Sequence, residues 1–206
     1  MRKSEYELIE SYMLECMNDS AHDKEHIYRV LYGALDIAEY ESGVDYDILT
    51  AACLLHDIGR AEQFADPKLC HAEVGSEKAH RFLLKLGWSM ERANHVKDCI
   101  KTHRFRSDCP PESIEAKILF DSDKLDVAGA IGVARTLFYK GQVGEPLYRL
   151  NSGGTVSDGS ADKEPSFFRE YKFKLENLYG KFFTDHGREL APGSYTHMTL
   201  PTHSRG

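Results

Sequence analysis

Four positions along the chain carry side chains that a divalent metal takes as ligands: His26, the adjacent pair His56-Asp57, and Asp123. Imidazole suits zinc, iron, manganese or nickel, and a carboxylate adds charge. His56 and Asp57 end the apolar run AACLLH and precede Ile58-Gly59. Neighbouring residues on a helix point about 100° apart. Both can reach one point only where the helix ends and the point lies off its tip. An acid there is costly on an apolar helix unless a cation meets it. Taken alone, the pair reads more readily as a locally paired acid beside a core histidine. The ordered set His, His-Asp, Asp is much rarer. Its gaps are 30 residues from His26 to His56 and 66 from Asp57 to Asp123. Each member falls on a different predicted helix, as a metal site inside a helical bundle requires.

The elements that must position these residues read as helices nearly throughout. Residues 3–18 place Tyr6, Ile9, Tyr12 and Met13 on one face. Residues 23–41 do the same with Ile27, Val30, Leu31, Ala34, Ile37 and Ala38, with Asp23 as the expected N-cap. Residues 45–57 run from an Asp-rich start into the apolar run and stop at Gly59. A loop of about ten residues with Pro67 is expected next. Two helices over 72–86 and 89–103 are separated by Gly87, and Pro110-Pro111 break the chain. A helical pattern then runs from Glu112 towards Tyr139, with a division expected near Gly129 or Gly132.

Residues 141–165 are rich in Gly, Ser and Asp and read as a mobile surface excursion. Helical pattern resumes from Ser166 to Leu190. The last stretch, residues 191–206, is aperiodic and reads as a disordered or vector-derived tail. No segment alternates in polarity as a strand does. The expected class is all-α, with residues 1–190 as a single domain.

A chain of 206 residues buries a real core without staples. Its net charge of -7 argues against a protein that coats nucleic acid, whose phosphates call for basic surface. Five cysteines, none in a CxxC pair, read as reduced thiols. The N-terminus carries acids where a signal peptide needs an apolar core, and no apolar stretch is long enough to span a bilayer. The expected location is cytoplasmic.

The segments HIYRV, AACLLHDIGR, EAKILFDSDKLDVAGAIGVAR and FFREYKFKL resemble the HD superfamily of metal-dependent phosphohydrolases. They are similar in particular to its small bacterial branch of uncharacterised or nucleotide-directed hydrolases. The resemblance covers residues 20–190 and departs from the family pattern at the C-terminal end. It implies an all-α HD-domain helical bundle. It also implies one divalent ion (Mn, Mg, Fe, Ni, Co or Zn) on His26, His56, Asp57 and an aspartate of DSDKLD. Asp121 and Asp123 stand about 200° apart on a helix, so both cannot point inward. In the family the ligand precedes a basic and then an apolar residue, which selects Asp123.

Arg60 and Lys124 adjoin ligand positions and are candidates to neutralise a phosphate. Either is equally a solvated side chain. Asp126, nearly one turn beyond Asp123, could touch substrate. Arg29 could orient a carboxylate. His71 and His103 fall where binuclear members of the superfamily add two ligands. They are expected here to line the pocket and bind substrate. The implied reaction is hydrolysis of a small phosphorylated molecule, a nucleotide above all, by metal-activated water. Asp57 is a candidate proton acceptor and Glu62 a weaker one. No long nucleic acid and no membrane is expected as partner. The alternatives are a di-iron oxygenase that also uses His71 and His103, or a non-catalytic ligand-binding module. The complete four-ligand set argues against the module.

Overall fold

The computed structural model describes residues 1–17, 24–104, 109–175 and 180–196. It is built from helices, and among the described residues there is no strand, only one isolated antiparallel bridge between Leu150 and Val156. The chain divides into two compact units, Met1–Asp123 and Lys124–Gly206.

The first unit is organised around α3 (Tyr46–Leu55), whose residues from Ile48 are buried except Thr50. A helix apolar on nearly every side must be covered from several directions. Helices α1 (Lys3–Cys16), α2 (Lys24–Ala38), α5 (His71–Lys85) and α6 (Met90–Thr102) all pack on it. Asp45 caps its start by accepting from the amides of Asp47 (2.9 Å) and Ile48 (3.1 Å). The expected cap of α2, Asp23, lies outside the described residues.

Helices α5 and α6 meet at Gly87, which takes φ +94°. The amide of Trp88 bonds the Leu83 carbonyl and that of Gly87 the Leu84 carbonyl, so a Schellman turn ends α5. The expected loop after Gly59 instead contains a short helix, α4 (Arg60–Ala65). Six residues cannot display a helical period, but Arg, Ala, Glu and Gln are good helix formers.

Helix α7 (Ile114–Val127) docks on α2 closely enough for the Ser122 hydroxyl to donate to the Val30 carbonyl at 2.6 Å. Gly33 makes room for it: a Cβ there would stand 2.7 Å from Ser122 Oγ. This contact sets Asp123 beside the start of α2.

In the second unit α7 ends and α8 (Gly129–Gln142) begins, with Ala128 between them. The break falls one residue before Gly129. Gly132 is also required, because a Cβ there would lie 2.0 Å from the Val127 carbonyl oxygen. Phe167, in α9 (Phe167–Glu170), anchors an apolar cluster with Val127, Val133, Phe168 and Tyr171. Helix α9 runs into a π-helical turn at Tyr171–Leu175.

Within residues 141–165, Asn151 and Ser157 donate to the carbonyls of Thr155 and Arg149, both at 2.8 Å. The amides of Phe167 and Phe168 bond the carbonyls of Pro146 and Leu147, both at 3.0 Å. Helix α10 (Asp185–Thr196) continues into the stretch expected to be tail, and residues 197–206 lie outside the description.

Candidate metal centre

Six buried side chains converge inside the first unit: His26, His56, Asp57, His71, His103 and Asp123. They come from five places in the chain. His26 stands in the first turn of α2 and His71 opens α5. His56 and His103 are the C-caps of α3 and α6, Asp57 follows His56, and Asp123 lies on α7.

The two C-cap histidines share one local device. The last carbonyls of a helix have no partner within it. His56 Nδ1 lies 2.7 Å from the Cys53 carbonyl, and His103 Nδ1 lies 2.5 Å from the Ile100 carbonyl. A carbonyl only accepts, so each Nδ1 carries the proton and donates. Each Nε2 is then left with a lone pair, the tautomer a metal ligand needs. His71 is fixed similarly by Gln63, whose Oε1 stands 2.7 Å from its Nδ1.

The Nε2 atoms face one another in two pairs. His56 Nε2 is 3.3 Å from His26 Nε2, and His71 Nε2 is 3.3 Å from His103 Nε2. Two acceptors at that distance repel unless a proton or cation lies between them. Asp123 Oδ1 is 3.3 Å from His26 Nε2 and 4.0 Å from His56 Nε2.

The Asp57 carboxylate stands between the two pairs. Its Oδ2 lies 3.7 Å from His26 Nε2 and 3.8 Å from His56 Nε2. Its Oδ1 lies 3.4 Å from His71 Nε2 and 3.7 Å from His103 Nε2. Oδ1 is buried without a hydrogen bond of good geometry, although Arg60 Nε is 2.9 Å away as an ion pair. Ligands bound at about 2.1 Å to one ion are separated by roughly 3.0–3.5 Å. The donor set and spacing therefore suit a divalent ion. Two groups could hold one: His26, His56 and Asp123, and Asp57, His71 and His103.

Electrostatics favour the metal-ready protonation states. Burial pushes His56 down to about 4. Burial, then the positive charge of Arg60, pushes His71 down to about 2. Burial alone would raise the Asp57 carboxyl, but Arg60 and His56 hold it well below the usual carboxylate range.

Of the expected site residues, Asp123 brings its carboxylate to the histidines. Asp121 is also buried but belongs to neither group. Arg60 is paired with Asp57, and Arg29 is half-buried on α2. Lys124 and Asp126 fall in the second unit, where Lys124 is buried and Asp126 accepts from Arg135 Nη1 at 2.5 Å. Glu62 is engaged by Lys78 at 2.7 Å. Gln63 was not legible from the sequence, because its tie to His71 crosses a turn of no fixed spacing.

A helical bundle that gathers buried imidazoles and carboxylates from several helices is an architecture of metal-dependent hydrolases. The HD-domain family matches residues 24–128, a span that contains all six converging side chains. The uncharacterised protein YpgQ of Bacillus subtilis is 31% identical over 183 residues, covering 87% of this chain and 80% of YpgQ. The crystal structure of YpgQ in complex with ADP is similar with a TM-score of 0.70 and 28% identity, over 95% of this chain and 89% of that one. An HD-superfamily hydrolase from Bacillus thuringiensis is similar with a TM-score of 0.68 and 28% identity, over 96% and 93% of the two chains. The chain belongs to the HD-domain family, within a superfamily of metal-dependent hydrolases.

Proposed function

We propose that this protein is a cytosolic phosphohydrolase that releases phosphate or pyrophosphate from a small phosphorylated molecule, with nucleotides as the substrate class. One divalent ion is held by His26, His56, Asp57 and Asp123. The observation that carries this reading is the convergence of the His26, His56 and Asp123 donor atoms beside Oδ2 of Asp57, with every member buried. The structure of the relative YpgQ in complex with ADP supports a nucleotide. Five free cysteines support the cytosol.

When bound, the ion supplies Lewis acidity to a phosphoryl oxygen and acidifies water. The protein's own groups do the rest. Arg60 keeps Asp57 ionised, which makes it a source of negative charge rather than a strong base. His71 and His103 present unprotonated Nε2 atoms on the other side of Asp57, where they contact substrate or take a proton from water. Arg60 neutralises a phosphate oxygen.

The test is a screen for phosphate and pyrophosphate release over nucleotides with Mg, Mn, Co, Ni, Fe and Zn. Turnover that requires metal and is abolished in Asp57→Ala supports the reading. No turnover with any metal overturns it.

A second reading is favoured by one observation. Asp57, His71 and His103 form a group as buried as the first, with the same inward-facing Nε2 atoms. A second ion held by Asp57, His71 and His103 would reopen di-iron oxygen chemistry. Metal analysis separates the two, since one ion per chain supports the first and two ions support the second.

A further inference from the structure

We infer that Lys78, a residue outside the ligand set, is a positioning residue that fixes the His56-Asp57 turn for metal binding. The inference rests on the proposed metal centre and extends it to α5.

The turn from His56 to Gly59 joins two helices and must hold Asp57 between two histidine pairs. Its path is set by a backbone contact with α5. A Cβ on Gly59 would lie 2.3 Å from the His71 carbonyl oxygen and 2.6 Å from the Gly75 amide nitrogen. A Cβ on Gly75 would lie 3.3 Å from the Gly59 nitrogen and 3.5 Å from the His56 carbonyl oxygen. Two glycines therefore let the turn lie directly on the first turns of α5, and this brings Asp57 to His71.

Close packing sets the distance between turn and helix but leaves the peptide plane after Ile58 to be fixed. Lys78 supplies that. Helical side chains lean towards the N-terminus of their helix. From one turn beyond Gly75, Lys78 reaches back over the contact, and its ammonium donates to the Ile58 carbonyl at 2.7 Å. The same ammonium donates to Glu62 Oε1 at 2.7 Å, in the short helix that follows the turn. Its side chain is 17% exposed and Ile58 is buried, so the bond to the carbonyl is largely shielded from water. A lysine has three donors, and two are committed here to the backbone and the helix on either side of Gly59. The carbonyl it holds is that of the residue next to Asp57. Rotation of that peptide would redirect the chain from Gly59 onward and carry Arg60 off Asp57, which it grips from α4 at 2.9 Å.

Groups that orient ligands change metal affinity by roughly 10–100-fold when removed. The experiment measures Mn2+ affinity by the electron paramagnetic resonance signal of free Mn2+, alongside the melting temperature of the chelated protein. The full-length wild type is compared with Lys78→Met and Lys78→Arg. The expected result is at least a tenfold loss of Mn2+ affinity in Lys78→Met with its chelated melting temperature close to wild type. Lys78→Arg, which keeps donors for both partners, should recover most of the affinity. Should Lys78→Met fail to fold, Lys78→Gln carries the same expected loss.

Unchanged Mn2+ affinity in Lys78→Met overturns the inference while leaving the metal centre standing. A loss that merely tracks a fall in melting temperature, with no recovery in Lys78→Arg, overturns it as well. A wild type that binds no Mn2+, Fe2+ or Zn2+ overturns both this inference and the proposed centre.

Discussion

At the residue scale, the site is defined by imidazole Nε2 atoms that face one another, those of His56, His71 and His103 carrying lone pairs. His56 and His103 spend their Nδ1 protons on helix-end carbonyls, so their Nε2 atoms have nothing to donate. Substituting His56→Ala or Asp57→Ala should therefore remove bound metal and turnover together. Metal analysis of the purified variants checks this, and full metal in both would refute the ligand set. Asp123→Asn should abolish turnover, whereas Asp121→Asn should act on stability alone. The reverse result in activity assays would move the ligand to Asp121.

The depressed pKa of His56 has a sign that can be tested on chelated protein. Folded His56 protonates near 4, against about 6.5 in the unfolded chain. Between those values the unfolded state binds the extra proton, so stability falls as pH drops from 6.5 to 4. Asp57 acts in a lower window, since its contribution is lost only as pH falls below the unfolded carboxylate value of about 3.9. Melting temperatures of the metal-free protein should decline from pH 6.5 to 4.5, less steeply in His56→Gln. Equal slopes for the two proteins would remove His56 as the source. Residues of this kind were legible in the sequence because imidazole and carboxylate are rare on apolar helices and stand out by spacing. Gln63 and Lys78 were not, because long polar side chains on amphipathic helices are ordinary until the fold shows what they touch.

At the element scale, what positions Asp123 is the close approach of α7 to α2. The Ser122 hydroxyl bonds the Val30 carbonyl in a space that exists because residue 33 has no Cβ. Gly33→Ala should displace that hydroxyl and cost about 1–2 kcal/mol, the worth of a buried hydrogen bond lost with its partner left unsatisfied. In a Ser122→Ala background the added methyl meets no hydroxyl, so the further cost should be close to zero. Denaturant unfolding of the two single variants and the double variant measures this, and additive costs would refute the steric account. The helices themselves were legible from period and from glycines such as Gly87, whose left-handed φ a Schellman turn needs. Helix α4 was hidden by its brevity. The α7–α8 division expected near Gly129 or Gly132 falls at Ala128, and the Val127 carbonyl that Gly132 clears is a contact no period records. For residues 141–165 the proposal remains a mobile excursion. The side chains of Leu147, Leu150 and Val156 are exposed around the Gly153-Gly154 turn, so limited proteolysis should cut between 147 and 156 first. Cleavage elsewhere ahead of this segment would count against it.

At the scale of the whole molecule, charge and bound metal decide what the protein can act on and how stably it does so. The net charge of -7 disfavours long-range attraction of a polyanion, and no described helix is long and apolar enough to cross a membrane. Metal that binds only the folded state stabilises it by RT ln(1 + [M]/Kd), about 2.7 kcal/mol at a hundredfold excess over Kd. For a protein of this length each kcal/mol moves the melting temperature by roughly 2–4 °C. Saturating Mn2+ should therefore raise the melting temperature of the chelated protein by about 5–10 °C, and the rise should vanish in His56→Ala. On the metal-loaded enzyme, nucleoside mono- and triphosphates should be turned over at rates that single-stranded DNA or RNA oligomers do not approach. Oligomers bound through phosphate contacts would show affinity that collapses with salt. The expectation is instead weak oligomer binding at every ionic strength. Processive release of nucleotides from an oligomer, strongest at low salt, would refute the small-molecule reading while leaving the metal centre in place.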